Sequence, residues 1–205
     1  MSIHDHWNRV YRTKQPDEVS WYAPHLERSL NLVMQAAPNK DAYIIDIGGG
    51  EATLVDDLVN QGYRHVSVLD ISEAALKVAQ NRLQDRRSAV NWITGDITNI
   101  ELPVSTFDVW HDRAVFHFLT DQRQRAAYVE QVKKAVKHGG HVIVATFGPN
   151  GPLQCSGLDV VRYDANELHA QFGGAFELVS HEEENHCTPW GAMQQFVYCY
   201  CKYAA

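Results

Sequence analysis

Asp46-Ile47-Gly48-Gly49-Gly50-Glu51-Ala52-Thr53 lies between a short apolar run, residues 43–47, and a stretch with helical periodicity. Glycine has no Cβ, so a loop of this kind turns tightly and lets a ligand come close to the backbone. The first N–H groups of the helix that follows are free to meet polar ligand atoms. A strand, a glycine loop and a helix in this order form the phosphate- or nucleoside-binding corner of an α/β sheet.

The same alternation continues on the C-terminal side. Apolar, β-rich runs occupy residues 65–69, 90–94, 107–110 and 141–147. Runs this short and apolar predict strands buried on both faces, as in a parallel sheet. Leu54, Val55, Leu58 and Val59 share one helical face. Ala75, Leu76, Ala79 and Leu83 share another, after Ser72 as N-cap. Val129, Val132, Ala135 and Val136 predict a third helix, ended by Gly139-Gly140. Asp164 and Glu167 form a capping box that opens a fourth, which stops near Gly173. The fold class is therefore α/β: a doubly wound, mostly parallel sheet with right-handed crossovers.

The two ends read differently. Residues 1–42 contain no strand pattern. Trp7, Tyr11, Trp21 and Tyr22 stand there among polar residues, too polar in context to form a core helix by themselves, and a helix follows at about residues 26–37. Residues 176–187 and 194–203 read as two strands joined by Thr188-Pro189-Trp190-Gly191, a turn short enough to make them antiparallel. With 205 residues and no repeat, linker or low-complexity tract, the chain reads as one domain.

Composition narrows the function. Hydrophobic residues make up 45% and charged residues 21%, an ordinary globular balance. A net charge of −7 argues against duplex nucleic acid as partner, because such binders neutralise phosphates with a basic surface. Arg82, Arg86 and Arg87 sit beside Asp85 and read as a solvated helix end. No apolar run approaches the ~20 residues that span a bilayer, and no signal peptide is evident. Cys155, Cys187, Cys199 and Cys201 are late and unevenly spaced, which predicts a reducing, cytoplasmic setting. Their spacing with histidine matches no zinc pattern, so no metal is expected.

Which nucleotide-like group the loop takes is decided by spacing. The dinucleotide pattern needs glycine at its first, third and sixth positions, and the sixth counted from Gly48 is Thr53. That disfavours a nicotinamide-dependent oxidoreductase. The stretch instead resembles the first motif of class I (Rossmann-like) S-adenosylmethionine-dependent methyltransferases: acidic residue, any residue, Gly, any residue, Gly. Here these are Asp46, Gly48 and Gly50, with Ala52 where the family usually has a third glycine. Asp70 ends the second strand 20 residues beyond Gly50, where an acidic side chain can accept from both ribose hydroxyls. Gly95-Asp96-Ile97 ends the third strand and Trp110-His111-Asp112-Arg113 the fourth. The resemblance covers about residues 43–147, and the family's closing antiparallel strand pair fits the C-terminal hairpin, which makes seven strands.

The resemblance implies S-adenosylmethionine as cofactor and S-adenosylhomocysteine as product. It implies a cofactor-binding core at residues 43–147, a lid and helix at residues 1–42, and a substrate loop, helix and closing hairpin at residues 148–205. The cofactor residues it implies are Asp46, Gly48, Gly49, Gly50, Asp70, Ile71, Gly95, Asp96, Ile97, His111 and Asp112. Trp7, Tyr11 and Trp21 would close over the methionine end, where aromatic faces suit a sulfonium cation. The plain alternative is that these rings staple the N-terminus to the domain.

Methyl transfer is an in-line displacement, so the protein must align the reactants, exclude water and, where needed, take a proton. His111 and His117 are the candidate bases near neutral pH. Arg113, His117, Cys155, Arg162, Tyr163, His186 and Trp190 are candidate acceptor contacts, from loops above the strand ends and from the hairpin turn. The Asn-Pro-Pro-aromatic signature of amino-methylating nucleic-acid enzymes is missing. A small-molecule acceptor is the leading expectation. The alternatives are a protein lysine methyltransferase, whose relatives have fragments like Asp112-Arg113-Ala114-Val115-Phe116-His117, and a non-catalytic protein that binds S-adenosylmethionine or S-adenosylhomocysteine.

Overall fold

The computed structural model describes residues 2–204. The chain opens with α1 (Ile3–Thr13), a 3-10 turn (Pro16–Glu18) and α2 (Glu27–Ala36). There follow β1 (Tyr43–Ile47), α3 (Leu54–Asn60), β2 (His65–Asp70), α4 (Glu73–Leu83) and β3 (Val90–Thr94). Then come β4 (Phe107–Arg113), α5 (Gln122–Ala135), β5 (Val136–Phe147) and a small ribbon of β6 (Gln154–Cys155) and β7 (Leu158–Asp159). The chain closes with α6 (Ala165–Phe172), β8 (Phe176–Cys187) and β9 (Met193–Tyr203).

Seven strands form one sheet in the order β3-β2-β1-β4-β5-β9-β8. β1 to β5 run parallel, and β9 enters antiparallel between β5 and β8. β1 therefore has β2 on one side and β4 on the other, and the direction of winding reverses at its C-terminal end. In open α/β sheets that reversal leaves a crevice for ligands.

The pleat sends successive side chains to opposite faces. Ile44 joins the core under α2, α3 and α4, with Leu32, Val33, Leu58 and Leu76. Ile45 and Ile47 join the other, under α5 and α6, with Tyr128, Val132, Leu168 and Phe172. Apolar residues on both faces are why these strands read as continuous hydrophobic runs, and each fully buried aliphatic side chain contributes about 1.5–3 kcal/mol. Local signals set the helix ends. Ser72 Oγ accepts the N–H of Ala75 at 3.2 Å, and Asp164 and Glu167 form a reciprocal capping box.

Three elements differ from the sequence reading. Residues 3–13 are helical. Ser2 caps the N–H of Asp5, while Trp7, Asn8 and Val10 turn inward, so the missing core face is supplied by the rest of the domain. Asn8 Oδ1 accepts from the Ser72 hydroxyl at 2.8 Å and ties α1 to the start of α4. α5 ends at Ala135, not at the glycine pair. Val136 already pairs with Phe107, and a register shift precedes the regular ladder, with Gly139 at φ +78° inside the strand. Lastly, the loop of residues 148–163 folds back as the β6–β7 ribbon and turns Cys155 inward. No helix among the described residues is long and apolar enough to cross a membrane.

Asn8→Ala removes the tie between α1 and α4. It should lower stability by about 1 kcal/mol in denaturant titration, and trypsin should cut faster at Arg12 and Lys14 with the sheet intact. An unchanged cleavage rate would show that Asn8 does not fasten α1.

Candidate active site

The C-terminal ends of β1, β2, β3 and β4 border a cavity of about 440 Å³. At its floor Gly48 adopts φ +66° and donates its N–H to the Leu69 carbonyl at 2.6 Å. A Cβ at Gly48 would collide with the Val115 side chain, and one at Gly50 (φ +37°) would lie 2.7 Å from Asp70 Oδ2. Both positions therefore need glycine for conformation and for space.

The end of the loop is held from outside. Arg82 donates to the carbonyls of Glu51 and Ala52, both at 2.7 Å, and also grips the Asp56 carboxylate. It is a clamp on the glycine loop and not a solvated helix end. Its partners lie 26 to 31 residues away, out of reach of any local pattern.

Asp70 is buried, and Oδ1 accepts the Ser72 N–H at 2.7 Å. Burial pushes its carboxyl up to about 7; the nearby Asp46 and Glu51 add to this, and the N–H groups of Ser72 and Gly50 oppose it. Asp96 is fixed by Thr98, whose N–H and hydroxyl both donate to Oδ1, at 2.8 and 2.7 Å. Ile71, Gly95 and Ile97 line the cavity beside these carboxylates. Above them Trp7 gathers an aromatic roof, with ring centroids 5.9 Å to Tyr11, 6.0 Å to Trp21 and 5.1 Å to Phe118. The ribbon adds Cys155, Leu158 and Asp159 to the wall. Burial raises the Cys155 thiol to about 11, which keeps it protonated near neutral pH.

At the end of β4 alternate residues part. His111 and Arg113 border a smaller side chamber of about 30 Å³ behind Gly48, along with Asp46, Gly49 and Glu51. His111 donates from Nδ1 to Asp46 Oδ1 at 2.7 Å, which fixes the ring. Glu51, missed in the sequence, is buried here, and burial raises its carboxyl to about 7 with Arg82 opposing. Its position in the loop's variable slot gave no signal.

Several expected site residues are not brought to the cavity. Asp112 faces the other way: it accepts from the N–H groups of Val115 and Phe116 and from the Tyr128 hydroxyl, the last at 2.6 Å. It braces a turn and lines neither the cavity nor its side chamber. His117 is sealed between Phe118 and Phe147, where its Nδ1 accepts the Phe147 N–H. Burial, with Arg113 adding, depresses it to about 3, so it is not a base facing substrate. Arg162 donates to the Gly151 carbonyl, and Tyr163 packs on Phe116 in the core. His186 donates to the Ser20 carbonyl at 2.8 Å, and Trp190 stands exposed at the hairpin tip. Gly50 acts on the site through its contact with Asp70, outside the cavity lining.

Known proteins are similar to this chain in sequence and in fold. A methyltransferase-domain family model matches residues 44–140. The malonyl-[acyl-carrier protein] O-methyltransferase of Paenibacillus sp. (strain JDR-2) is 29% identical over 148 residues, 70% of this chain and 48% of that protein. The eEF1A lysine and N-terminal methyltransferase of Bos taurus is 26% identical over 140 residues, 68% of this chain and 20% of that protein. The chain thus spans about half the length of the first and a fifth of the second. In fold it is similar to an S-adenosylmethionine-dependent methyltransferase from Anabaena variabilis ATCC 29413, with TM-score 0.74, 16% identity, 99% of this chain and 96% of that one covered. Residues 44–140 thus match the methyltransferase-domain family, and the sheet order is that of the class I, Rossmann-like methyltransferase fold.

Proposed function

We propose that this protein transfers the methyl group of S-adenosylmethionine to a small-molecule acceptor. The observation that carries the reading is the alignment of Gly48, Asp70 and Asp96 along one cavity at successive strand ends. Asp70 receives the ribose hydroxyls, and its carboxylate has lone pairs left beyond the Ser72 bond. Asp96 and Ile97 flank the adenine, the acid accepting from its amino group. The methionine end runs past the glycine loop towards β4.

Enclosure favours a small acceptor. Trp7 and Tyr11 of α1 and Leu158 and Asp159 of the ribbon wall the far side and narrow the space left for an acceptor. The rival acceptor is a protein amine, supported by the name of the bovine relative. The free thiols of all four cysteines fit the cytoplasmic setting.

The reaction is a displacement at carbon. The acceptor's lone pair forms the new bond to the methyl, the sulfonium–methyl bond breaks, and its electrons return to sulfur as a neutral thioether. The protein's contribution is alignment and exclusion of water, with the faces of Trp7, Tyr11 and Trp21 near the cation. His117 is sealed and His111 lies behind Gly48, tied to Asp46. His111 is therefore a positioning residue, and no side chain is assigned as base.

Labelled S-adenosylmethionine, offered separately with a metabolite pool and with a proteome extract, should pass its label to the small-molecule fraction. Label confined to a protein band would favour the protein amine, and binding without turnover on either would favour a non-catalytic binding protein.

Asp70→Ala should weaken S-adenosylhomocysteine by about 1.5–3 kcal/mol in calorimetric titration, the worth of hydrogen bonds to a charged acceptor. An unchanged dissociation constant in a folded variant would remove Asp70 from the ribose.

Asp70 also predicts a pH dependence. Its folded value is raised from 3.8 to about 7, so between those values the native state holds a proton that the unfolded chain has released. Its contribution to stability is full below about 4 and is lost as pH rises to about 7. Asp70→Asn cannot ionise, so its stability should fall less than the parent's between about pH 5 and about pH 8. Equal slopes would show that Asp70 is not the titrating group.

A further inference from the structure

Arg113 is a cation built into the wall of the main cavity. Among the described residues that line it, no other lysine or arginine is found. The side chain is 9% exposed, and Nη2 is buried without a hydrogen-bond partner among the described residues. A buried guanidinium with a free nitrogen is expensive, and a fold keeps it where a ligand supplies the acceptor. The rest of the group is fixed. Nε donates to the Tyr198 hydroxyl at 3.1 Å, which donates in turn to Glu184 at 2.9 Å. Nη1 donates to the Trp21 carbonyl at 3.4 Å, and the guanidinium lies over the Phe196 ring at 4.1 Å. Glu184, 3.8 Å from Nε, balances part of the charge. The next residue, Ala114, also lines the cavity and adopts φ +77°, with its N–H on the Ala145 carbonyl at 2.9 Å. A non-glycine residue in that region is strained, and such strain collects at functional sites.

The groups beside Arg113 do not take protons. Neither His111 nor His117 lines this cavity. Burial, with the charges of Asp70, Glu51 and Cys155 adding, drives the Tyr11 phenol well above its ordinary value. Burial raises the Cys155 thiol as well; Ser20, Ser156, Lys14 and the Arg113 guanidinium oppose it, so the charge of Arg113 reaches the ribbon wall. Both groups keep their protons near neutral pH. Asp159 of the ribbon is exposed and accepts from Gln154 at 2.8 Å. Asp70, Asp96 and Asp159 make the other polar walls acidic, so Arg113 is where an anionic group is favoured. An acceptor that arrives as an anion needs no base.

We propose that the methyl acceptor is a small carboxylic acid with an apolar body, held by Arg113 through one carboxylate oxygen and methylated on the other. The proposal rests on the methyltransferase reading. The step balances without a proton. A lone pair of the free oxygen forms the bond to the methyl carbon, the sulfonium–methyl bond breaks, and its electrons return to sulfur. An anion and a cation become a neutral ester and a neutral thioether, and Arg113 loses the charge that held the acceptor. A thiolate would offer Arg113 the same atom that must attack; a carboxylate separates the held atom from the attacking one. An amine would have to shed a proton that neither Tyr11 nor Cys155 takes. Trp7, Tyr11, Phe118 and Leu158 line the cavity and receive the apolar body.

The linkage of the transferred methyl tests it. Methyl esters release methanol in mild base, whereas N-methyl and S-methyl products do not. The full chain, given methyl-labelled S-adenosylmethionine and a metabolite pool, should yield small-molecule label that base converts to methanol. Arg113→Met should lower that yield about tenfold or more, the scale of one charge-assisted hydrogen bond, and shift S-adenosylhomocysteine in calorimetric titration by less than about twofold. Where Arg113→Met fails to fold, Arg113→Lys, which keeps the charge without the planar fork, takes its place, and the base test on the parent needs no variant. Label that survives base, or no label, from a chain that binds S-adenosylhomocysteine overturns the carboxylate and leaves the cofactor reading standing. A variant that loses S-adenosylhomocysteine as strongly as it loses ester formation assigns Arg113 to the donor and overturns the proposal as well. If the parent neither binds S-adenosylhomocysteine nor transfers label, the methyltransferase reading fails and the acceptor assignment with it.

Discussion

The site depends on one steric constraint: at Gly48 the backbone passes between β1 and Val115 with no room for a Cβ. The Gly48 N–H bonds to Leu69 on β2, and Val115 belongs to the turn after β4, so a single residue joins the ends of three adjacent strands. Asp112 is the counterpart from the other side. Its carboxylate holds the N–H groups of Val115 and Phe116 and so presses that turn onto Gly48. Burial drives the Asp112 carboxyl up to about 6, and the donors around it, led by Tyr128, hold it down against that tendency. A residue that does not itself line the cavity thereby supports its floor.

Charge is distributed unevenly around this floor. Asp46, Glu51 and Asp70 are all buried within one corner, and each of the other two raises Asp70. Opposite them Arg113 has one unpartnered nitrogen. Such an arrangement is poorly satisfied without a ligand, and its cost is met by packing elsewhere: Ile44, Ile45, Leu54 and Leu58 close the sheet immediately below. A ligand with a positive end and hydroxyl donors relieves the acids, and binding only to the folded chain raises its stability by mass action.

Much of this was legible in the sequence, for physical reasons. Strands buried on both faces read as apolar runs, and the caps of α4 and α6 lie within three residues of what they cap. Asp70 and Asp96 could be placed because a strand end is a fixed point in a parallel sheet. What escaped was non-local. α1 is amphipathic only with respect to Ser72 and its neighbours, 64 residues on. The clamp of Arg82 reaches across to Asp56 and the loop carbonyls. Val136 continues the helical stripe in sequence, yet Phe107 captures it for the sheet. His117 and Asp112 were read as ligand contacts because they follow a strand end, where the pleat alone decides which residues turn to the cavity. Glu51 and Arg113 border one chamber only once β1 and β4 lie side by side.

A chain of bonds, and not the rings alone, fastens the N-terminal aromatics. Asp70 Oδ1 accepts the Ser72 N–H, the Ser72 hydroxyl donates to Asn8, and Asn8 sits one residue beyond Trp7 in α1. The same hydroxyl accepts the Ala75 N–H and caps α4. α1 cannot lift without disturbing the cap of α4 and the support of Asp70 together. The roof is thus stapled close to the Asp70 carboxylate. On the proposed function, any ligand that orders Asp70 also stiffens the aromatic roof. On that reading staple and lid are one device, because the fastening of the N-terminus also ties Asp70 to the aromatic roof.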